Sequence, residues 1–203
     1  MTINYSELVV GFFLGLVPWI IDQLKKPDLH IVCADASNLS LEAGKYKILN
    51  LKILNSRRTG VKKFFNQTAT QLRCQIIFHD FESQAELLEN KTIARWNTTR
   101  EPLTPDYKQV DIGLALTYPR EVLAPGEEAT ISVVIKKEGV ESCYPFNNES
   151  YLHKDFSKSE WEIKDNKFLV EILLQSAEID IVSSEFLVLN KANLSQFKIS
   201  NLP

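Results

Sequence analysis

Residues 57–63 read Arg-Arg-Thr-Gly-Val-Lys-Lys, so four cations, Arg57, Arg58, Lys62 and Lys63, fall within seven positions. Guanidinium forks and ammonium groups at that density suit phosphate, in a lipid headgroup or in a small anionic ligand. The competing reading is a solvated hairpin loop. A second cluster lies in residues 144–161. There Tyr144, Phe146, Tyr151, Phe156 and Trp161 are interleaved with Asn147, Asn148, His153 and Lys154. Aromatic rings in a polar connection give large contact area at small entropic cost, which suits a partner-binding surface. The same rings would equally serve to pin a long loop onto the body of the protein.

Other chemistry finds little to work with. The three histidines are far apart, and the three cysteines, Cys33, Cys74 and Cys143, form no Cys-x-x-Cys, so no metal site is expected. Cys74 and Cys143 are open to an inter-sheet bridge in an oxidising compartment and stay reduced in a cytoplasmic one. His79, Asp80 and Glu82 supply no nucleophile, base and orienter as a set. Arg95-Trp96 is a possible recognition pair, although a strand tryptophan usually packs in a core. Seven glycines without a Gly-x-Gly-x-x-Gly or a P-loop exclude the common phosphate cradles, so no cofactor is expected. The chain is expected not to be an enzyme; a hydrolase on a β scaffold would have to work without a recognisable motif.

Leu8 to Ile21 holds fourteen residues without a charge, and Lys25 and Lys26 follow it with nothing basic before it. The run is short for a bilayer span and apolar on all sides. A cleaved leader would need a basic start and a nearby small-x-small site; residues 1–7 carry no base, and Ala34-x-Ala36 lies too far on. The expectation is a single-pass anchor in residues 1–26, with Trp19 at the interface and the C-terminal domain cytoplasmic by the positive-inside rule. Gly11 and Gly15 have the small-xxx-small spacing that lets two membrane helices meet, which allows a homodimer through the anchor. Seven Asn-x-Ser/Thr sequons, at Asn4, Asn38, Asn66, Asn90, Asn97, Asn148 and Asn193, argue for the extracytoplasmic alternative. Their bland explanation is that these residue types share turns.

The elements that must position these residues read as strands. Period-two apolar patterns occupy Leu29–Cys33, Tyr46–Asn55 with a register shift near Asn50, residues 70–78, Ile93–Trp96, Val110–Leu116, Ala129–Ile135, Phe168–Leu174 and Phe186–Asn190. Ile131, Val133 and Ile135 fall on one face, and Gly113 inside a strand marks a bulge. Pro125-Gly126 and Lys136–Gly139 punctuate the runs. Phe81–Asn90 is the best soluble helix candidate, and 145–167 reads as an irregular insertion. The expectation is a mainly β chain, with an antiparallel sandwich of seven or eight strands over residues 27–203; a lipocalin-like barrel is the alternative.

The order from Lys25-Lys-Pro-Asp-Leu through Tyr46–Asn55, Cys74-Gln-Ile-Ile-Phe, Ala94-Arg-Trp and Asp111-Ile-Gly to Phe168–Ile172 and Phe186–Asn190 resembles the immunoglobulin-like β-sandwich domains carried behind short membrane anchors in uncharacterised prokaryotic proteins. The resemblance implies a sandwich and no activity. Trp96 stands further from Cys74 than in antibody-type domains, and Glu141 occupies the tyrosine-corner position before Cys143. The functional expectation is a membrane-anchored, non-catalytic binding or interaction module at the cytoplasmic face. The alternative is a ligand-responsive effector that binds a small anionic molecule and assembles its anchors. The near-neutral charge, −3 over the whole chain, leaves no footprint for nucleic acid.

Overall fold

The computed structural model describes residues 15–18, 20, 25–60, 67–104, 109–117 and 119–202. Two antiparallel sheets face each other as a sandwich, open at the sides rather than closed into a barrel. In the first sheet, β3 (Gly44–Asn55) and β8 (Glu128–Lys137) are the long central strands. β1 (Leu29–Cys33) and β2 (Ser37–Leu41) share the free edge of β3. β6 (Arg95–Trp96) and β9 (Tyr144–Pro145) share that of β8. The second sheet runs β12 (Lys198–Asn201), β11 (Val182–Leu189), β10 (Lys167–Gln175), β4 (Ala69–Asp80). β5 (Thr92–Ile93) and β7 (Glu121–Leu123) divide the outer edge of β4. The chain changes sheets at Ala94, between β5 and β6.

Alternation explains the core between the sheets. Leu49, Leu51 and Ile53 of β3 meet Leu72, Cys74, Ile76 and Phe78 of β4 and Phe168, Val170, Ile172 and Leu174 of β10, with Trp96 wholly buried among them. The expected register shift is present. The pairing jumps from Leu49↔Val134 to Asn50↔Ser132, leaving Val133 as an extra residue on β8. Such a bulge reverses the phase of the strand beyond it. Ile131 and Val133 therefore point into the main core, while Ile135 does not join them as the alternation predicted. Ile135 packs with Tyr46, Ile48 and Phe146 in a separate outer cluster. The same reversal sends Lys136 inward, where it is fully buried. Its ammonium donates to Glu141 O at 2.7 Å and Asn190 Oδ1 at 2.6 Å, over the Phe197 ring.

Three further expectations differ from the structure. Val110–Leu116 is not a strand: Ile112–Ala115 forms a short helix, α1, capped by Asp111 Oδ1, which accepts from Leu114 N at 3.1 Å. Its alternate residues are not buried by a sheet: Ile112 and Leu116 are exposed. Gly113 is thus helical and marks no bulge. Phe81–Asn90 is not a helix. Asp80 Oδ1 accepts from Glu82 N, Ser83 N and Ser83 Oγ, a turn that competes with helix initiation, and Leu87 N returns to Phe78 O. Cys74 and Cys143 do not pair; all three cysteines are free thiols, and burial pushes the Cys143 thiol up to about 12. Among the described residues no helix is long and apolar enough to cross a membrane. Most of Leu8–Ile21, including Gly11 and Trp19, lies outside them.

Candidate functional site

The basic loop begins at one end of the sandwich. Leu29 pairs with Asn55, and Ser56 N donates to Asp28 O at 2.8 Å, so Arg57 and Arg58 emerge beside the point where the chain arrives from Lys25 and Lys26. Asn55 fixes that end. Its side chain accepts from Asp28 N and donates to Gln67 O and Leu123 O, tying four segments together. Arg57 Nε donates to Pro125 O at 3.1 Å. Its side chain lies across Gly126, where a Cβ would stand 2.4 Å from Nε and where φ is +87°. The positive φ is what requires glycine at that turn, and the missing Cβ lets the flexible Arg57 side chain lie over it. Arg57 is exposed and Arg58 half-buried; Lys62 and Lys63 lie outside the described residues. Val122 and Ile181 are exposed near the same end.

The five aromatics do not form one surface. Tyr144, Phe146, Tyr151 and Phe156 fold onto the outer face of the first sheet. Phe146, Tyr151 and Phe156 contact one another with centroids 5.3–5.6 Å apart, and Phe156 stands edge-on to Tyr46 at 5.6 Å. Burial pushes the Tyr151 phenol up to about 12. Asp155 locks the flap: it accepts from Tyr46 OH at 3.0 Å and pairs with Lys137 at 2.9 Å. The expected partner-binding rings are therefore committed largely to their own domain. Trp161 alone departs, packing against the main core from the side.

Beside Trp161 lies a cleft of about 530 Å³. The segment 87–94 running into the Ala94 corner forms one wall, Ala115, Leu116, Thr117 and Pro119 at the end of α1 and beyond it a second, and 147–149 with Lys158, Glu160 and Trp161 the third. The cleft exists because the chain changes sheets here, leaving the sandwich edge open, and because two insertions fold over it. Lys158 lines it. Its ammonium lies 2.9 Å from Glu149 Oε1, 3.6 Å from Glu160 Oε2 and 4.3 Å from the centre of the Trp161 ring. The hydrogen bond that Lys158 donates to Glu149 holds the ammonium above its ordinary pKa. Asn148 is 4% exposed, and its Oδ1 has no hydrogen-bond partner among the described residues. Neither Arg57 nor Arg58 lines the cleft.

Asn148, Glu149 and Lys158 were not legible as site residues. Asn148 carries a sequon, yet it and Ser150 are buried in the folded chain, whereas Asn38, Asn90, Asn97 and Asn193 are exposed. Ser150 Oγ instead closes a turn with Asn147 and Pro145. In comparison with known proteins, the sequence matches no protein-family model and no curated protein.

Proposed function

We propose that the chain is a membrane-anchored, non-catalytic binding module, with residues 1–26 as the anchor and the sandwich of residues 27–203 at the cytoplasmic face. The observation that carries this reading is the Ser56–Asp28 hydrogen bond, which sets Arg57 and Arg58 beside the Lys25-Lys26 exit from the apolar segment. An anchor leaving at that point holds these cations against anionic headgroups, each worth about 1 kcal/mol at such a surface. Three free thiols and a buried Asn148 sequon favour the cytoplasmic side over the extracytoplasmic one. The cleft opens on the flank, at the level of Gln75–Phe78 of β4. That is ~20 Å or more along the strand from the basic end, so a ligand reaches it with the basic end on the bilayer. An effector that binds a small anion is less well supported, because the cleft excludes Arg57 and Arg58 and includes three glutamates.

Alkaline extraction of cell membranes tests the anchor. The full chain is expected to stay in the pellet and a chain lacking residues 8–21 in the supernatant; wild-type protein in the supernatant overturns the reading. A cysteine placed at exposed Ser40 is expected to react with an impermeant maleimide only after the cells are opened.

A further inference from the structure

The outer face of the second sheet carries an unbalanced pair of cations toward its basic end. Leu72 pairs with Glu121, so the next rung sets Arg73 of β4 beside Arg120, the residue before β7. Gln175 of β10 stands opposite Arg73 on its other side. Arg73, Arg120 and Gln175 are exposed, and with Gln71 they line a shallow cleft of about 200 Å³. Like charges directly opposite on neighbouring strands repel. The ordinary relief is a carboxylate, and among the described residues none lines this cleft. The carboxylates next in sequence are turned elsewhere. Glu121 accepts from Thr98 Oγ1 and Val122 N, and Glu178 accepts from Thr70 N and Thr70 Oγ1. The Arg73 guanidinium has no hydrogen-bond or ion-pair partner among the described residues. Arg120 has Gln71 Oε1, which accepts from Nη1 at 2.7 Å. Gln71 reaches it from a bulge: between Ala69 and Leu72 the strand carries one residue more than β7, and Gln71 stands at φ +52°. A non-glycine residue in that region is kept there by its surroundings, and such strain gathers at binding sites.

We propose that Arg73 and Arg120 form a binding site for a phosphomonoester, whose doubly charged group two guanidiniums grip at once. The proposal rests on the reading of the domain as a binding module and names its ligand class; the site is separate from Arg57 and Arg58 and calls for no assembly of anchors. Ala69 pairs with Leu123, which Asn55 holds at the basic end, and Arg73 follows ~13 Å further along β4. At that height the phosphate can belong to a solute or to a phosphorylated lipid headgroup that rises from the bilayer. The test is calorimetric titration of the full chain in dodecyl maltoside micelles with phenyl phosphate, and with dimethyl phosphate as the singly charged diester. Saturable one-to-one binding of phenyl phosphate is expected, weakened by salt and at least about tenfold tighter than that of dimethyl phosphate. Arg73→Gln and Arg120→Gln, both at exposed positions, are each expected to weaken it by about tenfold or more, the loss of one charged hydrogen bond. Thermal unfolding separates binding from a structural role. Phenyl phosphate should raise the wild-type midpoint and leave that of Arg73→Gln unmoved, while ligand-free Arg73→Gln is no less stable than wild type because a repulsion is gone. Nanodiscs of phosphatidylcholine with or without phosphatidylinositol 4-phosphate then identify the source. Competition by the lipid against phenyl phosphate assigns the headgroup, and unchanged affinity assigns a soluble ligand. Absence of phenyl phosphate binding, equal binding of dimethyl phosphate, or binding that is indifferent to both variants and falls with Arg57→Gln instead overturns the proposal. Failure of the anchor in membrane extraction would leave the micellar titration standing, so the two readings fail separately.

Discussion

The two apolar clusters of this molecule are built by different means. The inner one joins both sheets through long alternating strands, and every large member is sealed from solvent. The outer one stands on a single sheet and exists only because residues 144–156 fold back over Tyr46, Ile48 and Ile135. It also carries strain: Asp155 and Phe156 are consecutive residues at φ +56° and +58°. Each such residue costs about 1–3 kcal/mol, which the Asp155 bonds to Tyr46 and Lys137 and the burial of the rings must offset. The inner cluster therefore sets global stability, and the outer one sets whether the flap that walls the cleft stays closed.

The largest expected effect follows from the inner cluster. Trp96→Ala or Phe168→Ala removes a fully buried ring shared by both sheets and should cost about 3–5 kcal/mol in denaturant unfolding. Phe146→Ala strikes the outer cluster, where the ring is also buried but the flap can collapse around the gap; about 2–3 kcal/mol is expected. The sharper readout is hydrogen exchange. Amides of residues 146–161 should lose protection in Phe146→Ala while those of β4 and β10 keep theirs. Equal loss in both regions would show that the two clusters unfold as one.

This contrast also explains what could be read from residue order. Alternation over 70–78 and 168–174 gave two strands of the inner core nearly to their ends, because a buried face imposes period two. Val110–Leu116 shows the same alternation and became a helix, since the signal is identical where no sheet buries the alternate residues. The Asn50 shift was visible, yet its consequence for Ile135 was not, because the extra residue sits on the partner strand at Val133. Arg57 and Arg58 were readable as a charge cluster. The cleft was not: its walls come from residues 87–94, from Ala115, Leu116, Thr117 and Pro119, and from 147–149 with Lys158, Glu160 and Trp161, which the fold brings together beside the corner at Ala94. Trp161 was singled out with four rings that went elsewhere, and Lys158 carried no signal at all.

The smallest effect expected, and the most specific to the outer cluster, is its pH dependence. Hydrogen bonds from Lys137 and Tyr46 hold the Asp155 carboxyl below its ordinary value, and the same bond holds the Lys137 ammonium above its own. A depressed carboxyl contributes stability that is complete above its unfolded value of ~3.9 and is lost as pH falls through the lower folded value. A raised ammonium contributes stability that is complete below its unfolded value of ~10.4 and is lost as pH rises through the higher folded value. The flap is therefore expected to be closed on a plateau between these limits and to loosen on both sides of it. Asp155 lies at the surface, so solvent screening keeps the global change small. Ring resonances of Phe156, which does not itself titrate, report the local event through its edge contact with Tyr46. In the wild type they should shift below pH 4 and again above pH 10, and in Asp155→Asn both shifts should flatten while those of the inner-core rings stay as they were. Undiminished acid and alkaline shifts in Asp155→Asn would detach the flap from this pair and leave the aromatic contacts alone to hold it.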